Sequence, residues 1–238
     1  VLRLLLSFAL LLSATAADWS NLKPTGYVSD FAGVVDSSSR DTINAYLASL
    51  EQSSGVQVAI VTIPSLEGDV LEDVANRLYR QFGVGLKGKN EGALFLLAIK
   101  ERKSRLEVGY GLEPIVPDAV AGDILRAMRP SLRAGNYGPA LIEAARTLGD
   151  RIAAAKNITI AAPLPARPAA GAPVEINFLQ VVIIIGVLIL LSFLNGGRRR
   201  RSRFYYGGGG FGGASSGGSS WGGFGGGDSG GGGASSDW

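Results

Sequence analysis

A largely apolar run from Ile176 to Leu194, followed at once by Arg198 to Arg201 and Arg203, constrains this chain more than any other feature. As a helix rising ~1.5 Å per residue, a run of about 19 residues matches the thickness of a bilayer's hydrocarbon core. Its polar members, Asn177 and Gln180, fall in the first turns, and no core-sized sequence follows to bury it instead. The run therefore predicts a transmembrane helix over 176–194. Arginines beside a span stay in the cytoplasm, which sets its orientation. A shorter apolar run, Leu4 to Leu12, lies between Arg3 and Ala14-Thr15-Ala16. A charged start, a short apolar stretch and an A-x-A site predict a signal peptide over 1–16.

These two runs divide the chain. Residues 18–156, roughly 140 residues and so the usual size of one domain, are expected to fold outside the cytoplasm. An Ala/Pro-rich linker at 157–175 forms a semi-rigid spacer before the span. Residues 195–238, the arginine cluster and a Gly/Ser segment with sparse aromatics, are expected to be a disordered cytoplasmic tail. About half of the 35 glycines lie there. The formal charge of +3 comes mainly from the juxtamembrane arginines, so it argues against a nucleic-acid-binding surface on the folded domain. Arg198 to Arg201 are also candidates to bind anionic lipid headgroups.

The chain has no cysteine and no histidine. That excludes disulfides, zinc–thiolate sites, and Ser-His-Asp or Cys-His catalysis within it. Any metal would be held by oxygen, which favours Ca²⁺ or Mg²⁺ over zinc.

Within 18–156, Ile43, Leu47 and Leu50 recur at helical spacing and predict a helix over 37–53. Gln57 to Ile63 and Ala93 to Ile99 read as buried strands, and Arg105 to Val108 as a strand returning antiparallel. Between the first two, Asp69 and Glu72 resemble a capping box opening an amphipathic helix through Val74, Leu78 and Phe82. Asp118 reads as the cap of a third helix, and Leu141, Ala145, Leu148 and Ile152 define a fourth. This order predicts an α/β protein: a three-layer α/β/α sandwich with a small mixed sheet.

Gly83-Val84-Gly85-Leu86-Lys87-Gly88 matches a dinucleotide fingerprint literally, and the following Lys89 completes the spacing of a phosphate loop. Both motifs work only after a strand and before a helix, and here the order is reversed. No nucleotide is expected. Gly109-Tyr110-Gly111 calls for close backbone approach or positive φ. The hairpin brings Asn90, Glu91, Tyr110, Glu113 and Asp118 to one rim, where oxygen ligands could take a hard cation. Asp30 stands alone in the apolar stretch Tyr27 to Val35, as a ligand or as an Asx-turn.

Val28-Ser29-Asp30-Phe31-Ala32-Gly33-Val34-Val35, the strand Gln57 to Ile63, Asn90-Glu91-Gly92 and Gly109 to Glu113 with Asp118-Ala119 together resemble the TPM domain family. The flanking segments resemble its bacterial envelope branch. The resemblance implies an α/β/α sandwich and a divalent-cation site, here assigned to Asp30, Asp118, Asn90 and Glu113. Some plant members are associated with acid phosphatase activity and photosystem II repair. The expected protein is thus a single-pass protein of a bacterial inner membrane, with its main domain extracytoplasmic. It would serve as a binding or assembly module for an unidentified envelope protein, with a weak metal-dependent phosphatase as the alternative.

Overall fold

The computed structural model describes residues 19–162, 164–165 and 223–238. The signal peptide, the span and the arginine cluster lie outside them. Among the described residues, no helix is long and apolar enough to cross a membrane.

The elements follow the chain as β1 (Val28–Asp30), α1 (Ser37–Ser54), β2 (Gln57–Ile63), α2 (Leu71–Phe82), β3 (Gly92–Ala98), β4 (Lys103–Val108), α3 (Asp118–Arg133), α4 (Tyr137–Lys156) and β5 (Gly232–Asp237). They form an α/β fold around one mixed sheet in the order β1-β2-β3-β4-β5. The first three strands are parallel, and β4 and β5 each run antiparallel to their neighbour.

Alternation along the central strands builds two cores. Val58, Ile60, Phe95 and Leu97 face α1, α3 and α4, while Ala59, Val61, Leu94 and Leu96 face α2. All seven residues of β2 and all seven of β3 are buried, which is why both read as continuous apolar runs. Helix α1 starts where Asp36 accepts a hydrogen bond from the Ser39 amide at 2.8 Å. It stops at Gly55, which is left-handed at φ 75°.

Two expected caps are used otherwise. Helix α2 begins at Leu71 after Val70, which makes no side-chain cap. Asp69 instead accepts from the Trp19 indole at 2.7 Å. Asp118 is the first residue of α3, after Pro117, and its carboxylate turns to a distant strand. In both cases a tertiary donor outcompetes the local amides.

The glycines of the 109–111 motif serve close approach. A Cβ on Gly109 would sit 2.3 Å from both the Asn90 carbonyl oxygen and the Tyr79 hydroxyl, and one on Gly111 2.0 Å from the Lys89 carbonyl oxygen. Tyr79 is fully buried between Gly92 and Gly109, so this crossing sets how closely α2 approaches the β3–β4 hairpin.

The largest departure from expectation is β5. Residues 232–237, expected to be disordered, pair along the whole of β4, from Lys103↔Asp237 to Val108↔Gly232. The ladder continues as the Trp238 amide donates to the Arg102 carbonyl at 3.0 Å, and the Trp238 side chain is buried against the α1/α3/α4 core. This pairing holds β5 and β4 on the same side of any membrane. One crossing at 176–194 would part them, so the docked strand and the expected cytoplasmic tail exclude each other in a single molecule.

Gly233, at φ 127°, cannot be replaced without losing this contact, because its Cβ would meet the Leu106 carbonyl oxygen at 1.9 Å. Gly233→Val should therefore undock β5 and leave the rest folded. In hydrogen exchange, the β4 amides that point at β5 should lose protection by on the order of 100-fold, while those of β2 and β3 keep theirs.

Candidate functional site: the groove along strand β4

Strand β4 alternates apolar and charged residues. Leu106 and Val108 enter the core, which turns Arg105 and Glu107 toward α2. Both charges are buried, Glu107 completely. They pair at 2.7 Å, with Arg105 Nε and Nη2 both reaching Glu107 Oε2. Removing two charges from water is costly unless their remaining hydrogen-bonding capacity is met. The glycine-rich segment meets much of it. Arg105 donates to the Gly231 carbonyl at 2.9 Å and to the Ser235 hydroxyl at 3.1 Å. Glu107 Oε1 accepts from the Ser229 hydroxyl at 2.8 Å and from Asn76 on α2 at 3.1 Å.

Both helical layers hold the strand. On the α2 side, the Ser235 hydroxyl donates to Glu72 at 2.5 Å. That bond is the main reason the Glu72 carboxyl is held below its ordinary value. On the α3 side, Arg129 donates to the Ser236 hydroxyl at 2.8 Å, and Gly122 lies beside Ala234. Asp118 Oδ1 accepts from the Gly233 amide at 2.8 Å.

Upstream, residues 224–228 lie on the loop after α2. The Gly225 amide donates to Gln57 Oε1 at 2.8 Å, the Asp228 amide donates to Asn90 Oδ1 at 3.1 Å, and Asp228 pairs with Arg80 at 3.0 Å. A Cβ on Gly83 would sit 3.0 Å from Gly226, so glycine meets glycine here. The segment that imitated a phosphate loop is thus a seat for backbone. An open cleft of about 670 Å³ remains beside the strand, lined by Asn76, Arg77, Arg80 and Arg105 with Glu72 and Asp73.

The four residues expected to share a cation are not gathered at one point. Asp30 ends β1, opposite Thr62 and hence near the Leu97 end of β3. Its two oxygens accept from the Val34 amide at 3.1 Å and the Val35 amide at 2.9 Å, and Thr62 donates to it as well. That is the turn reading of Asp30. Asn90, Glu113 and Asp118 lie at the other end of the sheet, on the expected rim. Glu113 and Asp118 line an open pocket of about 600 Å³ with Tyr110. Among the described residues no group of three or more acidic side chains is placed to hold a metal ion. Glu91 is elsewhere engaged, paired with Lys156 at 2.8 Å.

Sequence reasoning missed Arg105, Glu107, Asn76 and the strand that covers them. The signal was present in β4 itself: two opposite charges on one face of a strand whose other face is core.

Comparison with known proteins agrees with this architecture. The TPM domain model matches residues 28–151. The solution NMR structure of the N-terminal domain of a P. gingivalis protein is similar at 34% identity and a TM-score of 0.52, covering 56% of this chain and 86% of that one. An N-terminal domain from Corynebacterium glutamicum, also solved by NMR, matches at 16% identity and a TM-score of 0.43 over 62% of this chain and 90% of that one. No curated protein matches. With the family model covering the sheet from β1 to β4 and most of α4, this chain belongs to the TPM domain family.

Proposed function

We propose that the domain is a binding and assembly module whose working surface is the β4 edge, a groove that accepts an extended glycine- and serine-rich strand. One observation carries this reading: the buried Arg105–Glu107 pair is matched by residues 229–235, Arg105 donating to the Gly231 carbonyl and the Ser235 hydroxyl and Glu107 accepting from the Ser229 hydroxyl. Main-chain pairing gives such a site affinity, and side-chain pockets give it selectivity. Here the selective features are the contact at Gly233, the hydroxyl contacts at Ser235 and Ser236, and the burial of Trp238. A membrane tether at 176–194 fits this role. In chains that cross once, the groove would stand open to a strand from elsewhere.

Divalent-cation binding at the Glu113–Asp118 rim is the second reading, favoured by the pocket those carboxylates share with Tyr110. Asp118 already holds the Gly233 amide, so strand and cation would compete for it. The phosphatase alternative rests on the family resemblance.

The first test uses the full-length Gly233→Val chain, whose groove is free, and a synthetic peptide of residues 223–238. Saturable binding by calorimetry is expected, absent for a peptide carrying the same substitution. Trp238→Ala in the peptide should weaken it about 30-fold, the ~2 kcal/mol of a buried aromatic anchor. No binding to a folded Gly233→Val chain would refute the strand-acceptor reading.

Acid should release the peptide. The docked strand lowers the Glu72 carboxyl, so its contribution is present above the ordinary value of about 4.5 and is lost as pH falls below it. Affinity should be flat through neutrality and decline from about pH 4.5 downward. Glu72→Gln should remove that part of the decline.

For the second reading, millimolar calcium should raise the melting midpoint of the Gly233→Val chain, and Asp118→Asn should abolish the gain. An unchanged response in Asp118→Asn would leave Asp118 as a ligand for the strand alone.

A further inference from the structure

We infer that a pocket between α1, α4 and residues 158–164 binds the carboxylate end of an apolar amino acid, free or at the C-terminus of a peptide. The pocket shares no residue with the β4 groove. Its volume is about 300 Å³, at the small end for a ligand pocket, which suits one residue rather than a length of chain. Its apolar lining includes Ile158, Ile160 and Leu164. Ile160 and Leu164 also pack against the α1/α3/α4 core, and the Ser49 hydroxyl accepts from the amides of Ala161 and Ala162, both at 3.1 Å. The start of the expected spacer is thereby fixed against the domain as a wall of this pocket.

Two hydrogen-bond donors at the pocket have no acceptor among the described residues. Tyr46 is only 4% exposed, lines the pocket and makes no hydrogen bond there. Burial, aided by the charge of Asp150, pushes its hydroxyl up to about 12, so it keeps its proton and stays a donor at neutral pH. Arg146 Nε is buried without a hydrogen-bond partner, and the nearby Glu143 carboxylate stands off at 3.6 Å. The same guanidinium donates through Nη2 to the Pro165 carbonyl, which holds it in place. A buried donor left without an acceptor destabilises a fold. Helix α4 also carries Gly149 where a Cβ would lie 2.0 Å from the Tyr46 hydroxyl, and a glycine inside a helix weakens it. A hydroxyl that is buried, unbonded and accommodated in this way points to an acceptor the chain itself does not supply.

The donors define the acceptor. A guanidinium favours an anion, and a carboxylate offers one oxygen to each donor. Asp150 lies one helical turn beyond Arg146, exposed at the pocket, and forms no ion pair among the described residues. With Glu143 and Asp150 both beside Arg146 on α4, a dianion such as phosphate is repelled, whereas an ammonium next to the carboxylate is attracted. A free amino acid carries both charges, and the isoleucines and Leu164 select an apolar side chain.

Calorimetry on the full-length chain, with L-leucine, N-acetyl-L-leucine and L-leucinamide as probes, tests this. L-leucine should bind saturably at one site and slow hydrogen exchange at the Ala161 and Ala162 amides at least threefold. L-leucinamide, which lacks the carboxylate, should not bind. Tyr46→Phe should weaken binding about tenfold and leave the ligand-free melting midpoint unchanged or higher, because it removes a donor that has no acceptor in the chain. Arg146→Met should abolish binding; if that variant does not fold, Tyr46→Phe decides. Equal affinity for N-acetyl-L-leucine assigns the pocket to a peptide C-terminus. A preference for L-leucine that Asp150→Asn removes assigns it to the free amino acid. Failure of both carboxylates to bind, affinity unmoved by Tyr46→Phe, or equal binding of L-leucinamide overturns the inference. So does a lower ligand-free midpoint for Tyr46→Phe, which would show the hydroxyl bonded within the chain. Gly233→Val should bind L-leucine as the parent chain does, so the outcome is independent of the strand-acceptor reading.

Discussion

A strand that carries two opposite charges on a face meant for burial cannot remain an open edge. That constraint, set by Arg105 and Glu107, organises the outer half of this molecule. Glu107 is fully buried and Arg105 nearly so, and their partners come from protein: Asn76 and Glu72 on α2, and the glycine-rich segment across the ladder. The segment comes close to them where side chains are few. Gly233 lies over the Leu106 carbonyl, where a Cβ would collide with backbone, while Gly230 and Gly232 lie against the side chains of Tyr110 and Glu113. The composition that looked like disorder is what the groove demands.

The sheet from β2 to β4 and all four helices were legible because each rests on a local period. The β2 and β3 runs are continuous since both faces are buried, and α1 shows its core stripe at Ile43, Leu47 and Leu50. Strand β5 was not legible. Gly-Gly-Ala-Ser-Ser-Asp has no β-branched residue and no apolar alternation. It is a strand because β4 supplies a template and charged partners, a tertiary cause with no local trace.

The same distinction explains the site. The rim of Asn90, Glu113 and Asp118 followed from hairpin topology alone. Its occupant did not, since Asp118 and Asn90 spend their side chains on Gly233 and Asp228, more than a hundred residues away. Asp69 was misread for a related reason: a distant indole, Trp19, claims a carboxylate that the sequence assigns to its own helix. Asp30 illustrates the opposite case. Both its ligand and turn readings were open, and the amides of Val34 and Val35 were near enough in sequence for the turn to form.

The order of the strands in sequence has a consequence in time. Strands β1 to β4 lie within the first 108 residues, and β5 begins at Gly232. Closing so long a loop makes β5 the slowest element to join, in synthesis and in refolding alike. For that interval β4 is exposed, and an unpaired edge invites pairing with any apolar strand. Arg105 and Glu107 discourage it, because a wrong partner would bury both charges without satisfying them. The residues that later make the groove selective thus guard the nascent chain against misassembly until its own strand arrives.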